Sequence, residues 1–196
     1  MIASQAKRIS SFCISNGIIS EQDREKYDYC YEVMLSTLIN IASVMMIGFA
    51  TGLFAQTVCF LLVFALLKST AGGYHAGSHS ACFCETTATF LVFRILAAAV
   101  PTDTLPTVAA ALAVFTGITV FLLAPVGTEN KPLGRKQAQR LQRDSRLLVL
   151  VLCMAVFFLT ERNAVQWAFT VSSAAAAVAV SLIAGKRKLE KAEQAK

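Results

Sequence analysis

Hydrophobic positions along this chain come in long blocks and not in stripes. Six runs are almost free of charge, at about 33–50, 54–67, 83–100, 108–124, 147–159 and 164–184. A bilayer core takes about 20 residues of helix, and a helix that is apolar all round suits lipid or a buried position. The pattern therefore predicts an all-α, polytopic integral membrane protein with about six transmembrane helices. The second and fifth runs are short and require tilt, extension by polar turns or a partly re-entrant path. Pro101 and Pro125 close the third and fourth runs, and Gly185 closes the sixth.

Ahead of the first run, Ile2, Ile9, Cys13 and Ile19 recur at roughly helical spacing with Lys7 and Arg8 opposite them. That pattern predicts an amphipathic helix lying in the membrane interface. Ser20 before Glu21, Gln22 and Asp23 is a loose capping box that starts the next helix. Tyr27 and Tyr31 follow at i and i+4, as in an aromatic belt. One membrane domain is expected over 1–196, made of interfacial helices (1–32), a transmembrane bundle (33–184) and a basic tail (185–196). No apolar h-region precedes the first long run, so no secretory signal peptide is expected.

Composition agrees. Apolar residues make up 56% and charged residues 15%, with mean hydropathy +0.59, whereas soluble domains carry roughly 25% charged residues. The net charge of +6 does not point to nucleic acid, because the cations flank apolar runs and line no aromatic-interleaved groove. Sixteen of the 18 Lys and Arg fall on the two ends and on the second and fourth connections. The positive-inside rule places those four regions in the cytoplasm. Of the remaining two, Arg162 lies on the opposite side and Arg94 lies inside the third run. A charge within a span is costly and usually paired or functional, but the sequence names no partner for it. The six cysteines, at 13, 30, 59, 82, 84 and 153, follow no framework spacing and are read mostly as small buried hydrophobes.

Residues 68–85, KSTAGGYHAGSHSACFCE, hold both histidines and two of the cysteines. His75, His79 and Cys82 stand at i, i+4 and i+7, so on a helix they share a face. Cys82 opens the third run, where the positive end of a helix and a nearby imidazolium favour the thiolate nucleophile. Three readings stand side by side. The histidines are loop polar groups and the cysteines packing; or His75, His79, Cys82 and Cys84 bind zinc, although Cys82 and Cys84 point apart on a helix; or Cys82 and a histidine form a nucleophilic acyl-transfer site.

The segment AGGYHAGSHSAC resembles the active-site segment of the accessory gene regulator B (AgrB) family of bacterial membrane cysteine endopeptidases. The shared pattern is A-G-G-x-H, six residues, then C, which places the family histidine at His75 and the family cysteine at Cys82. The later APVGTENKPLGRKQAQRLQ resembles the family's second signature, an Ala-Pro leaving a span and then a basic segment with Lys-Pro. The likeness runs along the whole chain. It departs at Lys68, where some members have Arg, so any bidentate contact made there is altered.

The resemblance implies cleavage of a small AgrD-like precursor peptide. Cys82 attacks the carbonyl that ends the future pheromone, forms a thioester and releases the precursor's tail. His75 takes the thiol proton and returns one to the leaving amine. An internal Cys or Ser of the peptide then closes a thiolactone or lactone, giving a cyclic quorum-sensing pheromone. The resemblance further implies no cofactor or metal, a homodimer, and the bacterial cell membrane as location. Gly72, Gly73, His79, Glu85 and Lys68 are candidate supporting residues. Lys131, Arg135 and Lys136 are candidates for docking an acidic precursor tail, against the plainer roles of setting topology and meeting anionic lipid. The alternative from another class is a small non-enzymatic membrane carrier or metal-binding module.

Overall fold

The structure is a computed structural model that describes residues 2–74, 78–127 and 134–194. The described residues form helices α1 (Ile2–Ser15), α2 (Arg24–Ala50), α3 (Phe54–Ala71), α4 (His79–Ala99), α5 (Leu105–Leu123), α6 (Arg135–Glu161) and α7 (Val165–Gln194), with a 3-10 turn, Glu21–Asp23, before α2. All regular elements among them are helical, as a bilayer demands of a chain that cannot close a barrel.

Helix α7 is the axis. It packs against α3, α4, α5 and α6. Its middle is a run of small residues, and Ala168, Ala174, Ala175, Ala179 and Leu182 are buried. Small side chains let helix backbones approach closely where apolar burial against lipid supplies no driving force. The hydroxyls in this interior bond within their own helices. Thr170 Oγ1 donates to the Gln166 carbonyl (2.8 Å) and Ser172 Oγ to that of Phe169 (3.1 Å). Phe60 of α3, Phe90 and Phe93 of α4 and Phe169 of α7 join the helices through ring contacts, Phe60 and Phe93 at 4.8 Å between centroids. Leu62, Leu122, Met154 and Phe157 point outward and are exposed, as on a lipid-facing surface.

Among the described residues, five helices are long and apolar enough to cross a membrane: α2, α3, α4, α5 and α7. Helix α6 differs from the others. It starts at Arg135, so its first three turns carry Arg135, Lys136, Arg140, Arg143 and Arg146 before the apolar run begins. The basic connection expected between the fourth and fifth runs is thus largely helical. Two more boundaries differ from expectation. Helix α3 reaches Ala71, which makes the second run long enough to span. Helix α7 runs through Gly185 to Gln194, because that glycine serves a close approach and not a stop.

Helix α1 rests on the start of α2. Ala6 and Ser10 are its buried residues; Ser10 Oγ donates to Asp28, and Cys13 Sγ lies 3.4 Å from Tyr31 Oη. Phe12 and Ile18 stay exposed, as suits an interfacial helix. Ser20 caps the 3-10 turn by accepting from the Gln22 N–H (3.3 Å).

Candidate active site

The two distinctive segments of the sequence meet at one end of the bundle. After α3, Gly72 and Gly73 take φ of +77° and +124°, values that L side chains rarely adopt. This turn lays the chain beside residues 124–126, which follow α5. Val126 N–H donates to the Ala71 carbonyl (3.0 Å), and Gly73 N–H donates to the Val126 carbonyl (3.4 Å). A side chain at Gly72 would strike the Val126 carbonyl oxygen.

Helix α7 forms the floor of this turn. Tyr74 N–H is shared between the Ser181 carbonyl (2.8 Å) and Ser181 Oγ (3.1 Å). Gly185 sits one turn further on, and a Cβ there would lie 2.7 Å from Gly73 C and Tyr74 N. Lys188 Nζ lies over the Tyr74 ring at 5.2 Å. The residues before His75 are therefore held by three elements, α3, the segment after α5, and α7. His75 itself and the side chain of His79 lie outside the described residues, and the zinc alternative, which needs both, lies there with them.

Ser78 is the N-cap of α4, and its Oγ accepts from the Ala81 N–H (3.3 Å). The helix starts at His79, one turn earlier than the apolar run, because this cap precedes it. Cys82 is in the first turn, and its backbone N–H donates to the Ser78 carbonyl (3.0 Å). Its side chain is half-buried, whereas Cys84 is exposed. Asn40 Nδ2 of α2 donates to Cys82 Sγ at 3.6 Å.

Asn40 is a neighbour of Cys82 that sequence reasoning did not single out. It belongs to the buried row of α2: Ser36, Asn40, Val44 and Gly48. The available signal was that row itself, small and polar residues at every fourth position in an otherwise apolar run. Only 8% of Asn40 is exposed, and its Oδ1 is buried with no partner among the described residues.

The other candidates separate into groups. Lys68 Nζ pairs with Glu85 Oε1 at 3.7 Å and lies 5.2 Å from the Phe64 ring centre, so the pair ties the end of α3 to α4 one turn beyond Cys82. As a point charge, the Lys68 ammonium does not make the fork that an arginine would. Arg135 and Lys136 are exposed at the start of α6, and Lys131 lies outside the described residues. Arg143 pairs with Asp144 at 3.2 Å. Arg146 Nη2 donates to the Phe121 carbonyl at the end of α5 (3.0 Å). Arg94 is half-buried in α4, with its Nε buried and without a hydrogen-bond partner among the described residues.

The family described as accessory gene regulator B, AgrB, matches residues 6–183. The chain belongs to the AgrB family. Among its relatives, an AgrB-like protein of Clostridium perfringens strain SM101 is 25% identical over 165 residues, covering 82% of this chain and 77% of that protein. A second AgrB-like protein, of C. perfringens strain 13, is 24% identical over 161 residues, covering 80% and 75%. One from Listeria welshimeri is 29% identical over 133 residues, covering 67% of this chain and 64% of its own. No solved structure matches the chain. The family match extends over the AGG and AP segments, over Cys82, and over Asn40, Lys68, Glu85, Ser181 and the basic start of α6.

Proposed function

We propose that this AgrB-family protein is a membrane cysteine endopeptidase that cuts an AgrD-like precursor and promotes its closure into a cyclic pheromone. The observation that carries the proposal is the placement of Cys82. It stands half-buried on the first turn of α4, with an amide donor at its sulfur, directly after a segment locked to α3, α7 and the chain leaving α5.

In this reading His75, adjacent to the anchored Tyr74, removes the Cys82 proton. The thiolate attacks the carbonyl carbon at the end of the future pheromone, and the C–N bond breaks as the imidazolium protonates the leaving amine. The peptide is left as a thioester on Cys82. An internal thiol or hydroxyl of the peptide then gives its proton to His75 and displaces Cys82, which leaves as the thiolate. Exchange of one thioester for another is close to isoenergetic, so cyclisation wins only where water is kept from the acyl-enzyme. A site at the membrane boundary between packed helices provides that exclusion.

The charge pattern supports a cytoplasmic position for both termini and the site. The exposed Arg135 and Lys136 are then available to an acidic precursor tail. Gly72 and Gly73 shape the turn, while the Lys68 and Glu85 pair holds α4 against α3. The test is cleavage of an AgrD-like precursor peptide, with the protein in lipid vesicles. The proposal expects cleavage by the wild type and none by Cys82→Ala or His75→Ala. Cleavage that survives Cys82→Ala and stops on chelation would replace it with a metal mechanism.

A further inference from the structure

The seam between α2 and α4 holds a polar group that the mechanism above does not use. Asn40 lies in the middle of an apolar run, on the buried row of α2, with 8% of its surface exposed. One end of its amide, Nδ2, is turned to Cys82 Sγ at 3.6 Å. The other end, Oδ1, is buried and unpartnered among the described residues. A buried carbonyl oxygen without a donor is destabilising, and an asparagine inside a span normally finds a partner on a neighbouring helix.

We propose that Asn40 is a catalytic residue that binds the reacting peptide unit and stabilises its oxyanion; this rests on the cysteine-peptidase reading of the site. When the Cys82 thiolate attacks, the new C–S bond forms and the carbonyl π pair moves onto oxygen. That oxygen is separated from Sγ only by the carbonyl carbon, so a donor already at Sγ is within reach of it. The backbone N–H of Cys82, the nearest alternative, is engaged by the Ser78 carbonyl (3.0 Å), and that of Ala81 by Ser78 Oγ (3.3 Å). Asn40 Nδ2 is therefore the side-chain donor placed for the oxyanion. Its Oδ1 is the acceptor placed for a peptide N–H of the same substrate. A side-chain amide offering a donor and an acceptor together matches the donor and acceptor of a peptide backbone. When the intermediate collapses, the C–N bond breaks, the amine leaves with its proton, and the oxygen returns to a carbonyl.

The experiment compares two reactions at one sulfur. Precursor cleavage passes through an oxyanion, whereas alkylation of Cys82 by iodoacetamide does not. Loss of one oxyanion donor lowers kcat by about 10² to 10³-fold. Asn40→Ala is expected to show that loss in kcat, while Cys82 alkylation, compared at a pH where the thiol is fully ionised in both proteins, stays within a few-fold of wild type. Asn40→Leu is expected to be equally slow, yet as stable to heat as wild type or more so, because it removes an unpartnered buried oxygen. A peptide aldehyde of the precursor sequence, which forms a hemithioacetal with Cys82, is expected to lose affinity in the same proportion as kcat. If cleavage and alkylation fell together, or Asn40→Leu were less stable than wild type, Asn40 would be structural. Near-normal cleavage by Asn40→Ala, with Cys82→Ala inactive, would remove Asn40 from the chemistry and leave the cysteine in it. Cleavage by Cys82→Ala would instead remove the reading beneath.

Discussion

Two regions of this bundle treat polar groups in opposite ways. Around α7 the hydroxyls of Thr170, Ser172 and Ser173 bond to carbonyls of their own helix and leave nothing for a ligand. Small side chains close the space between the helices. In the seam between α2 and α4, by contrast, Asn40 carries an unpartnered oxygen beside a half-buried thiol. The first region is built for packing. The second leaves a buried acceptor unmatched among the described residues, and the role proposed for Asn40 starts from that difference. The turn at 72–74 joins them, since Ser181 and Gly185 of α7 hold it in place.

Substitutions can break this contrast in a graded way. The largest effect is expected from the thiol. Cys82→Ala and His75→Ala should each cut precursor cleavage by about 10⁴-fold or more, as loss of a nucleophile or its base does. Cys84→Ala should retain most activity, because it lies about 200° round α4 and is exposed. Single-turnover cleavage rates in vesicles check this. The reverse result, with Cys84 essential and Cys82 dispensable, would misplace the site by two residues.

Next come the contacts that join the regions. Gly73→Val and Gly185→Leu put side chains against Ser181 and against the 73–74 backbone. Displacing a reacting group by about 1 Å can cost about 10²-fold. Both variants should insert and stay folded while cleavage falls by that order, measured against the protein's elution as a monodisperse particle. Wild-type rates would show that the turn need not be held.

A smaller change is expected at the pair that ties α3 to α4. Lys68→Ala should lower cleavage several-fold, and Lys68→Arg, able to meet Glu85 with two parallel bonds, should match or exceed the wild type. The check is kcat and KM for the two variants side by side. Equal loss in both would show that the position needs an ammonium and not merely a cation.

The smallest effect on chemistry should come from inside the packed region. Ala174→Leu overfills α7 and should destabilise the fold by about 1–3 kcal/mol. The rate per folded molecule should nonetheless stay near wild type. Thermal unfolding in detergent and active-site titration of Cys82 separate the two quantities. A drop in rate without a drop in stability would show that the bundle interior takes part in the reaction.

How much of this was legible beforehand follows from the physics of each element. Block hydrophobicity marks helices surrounded by lipid or by other apolar helices, so the runs near 33–50, 108–124 and 164–184 each fall on a single helix, α2, α5 and α7. Ends are harder. Ser78 starts α4 a turn before its apolar run, and the basic residues from Arg135 to Arg146 are helical although no bilayer requires it. Gly185 reads as a stop in sequence, yet it is a contact with residues 73–74 brought in from another helix. Cys82 can be nominated from sequence because its motif is local. Asn40 stands 42 residues away from it, and a lone Asn in an apolar run says nothing of which sulfur it will meet. The joining of the AGG and AP segments is long-range in the same way.

The central claim is that Cys82 carries the peptide as a thioester, and one measurement addresses it directly. The purified protein in lipid is mixed with a precursor whose ring-forming Cys or Ser has been replaced by Ala, so that the acyl group cannot be passed on. Intact-protein mass spectrometry should show an adduct equal to the N-terminal fragment less one water. Hydroxylamine should remove it, Cys82→Ala should abolish it, and chelators should leave it unchanged. Cleavage of that precursor without any adduct, halted by chelation, would contradict the cysteine mechanism and the site built around Cys82.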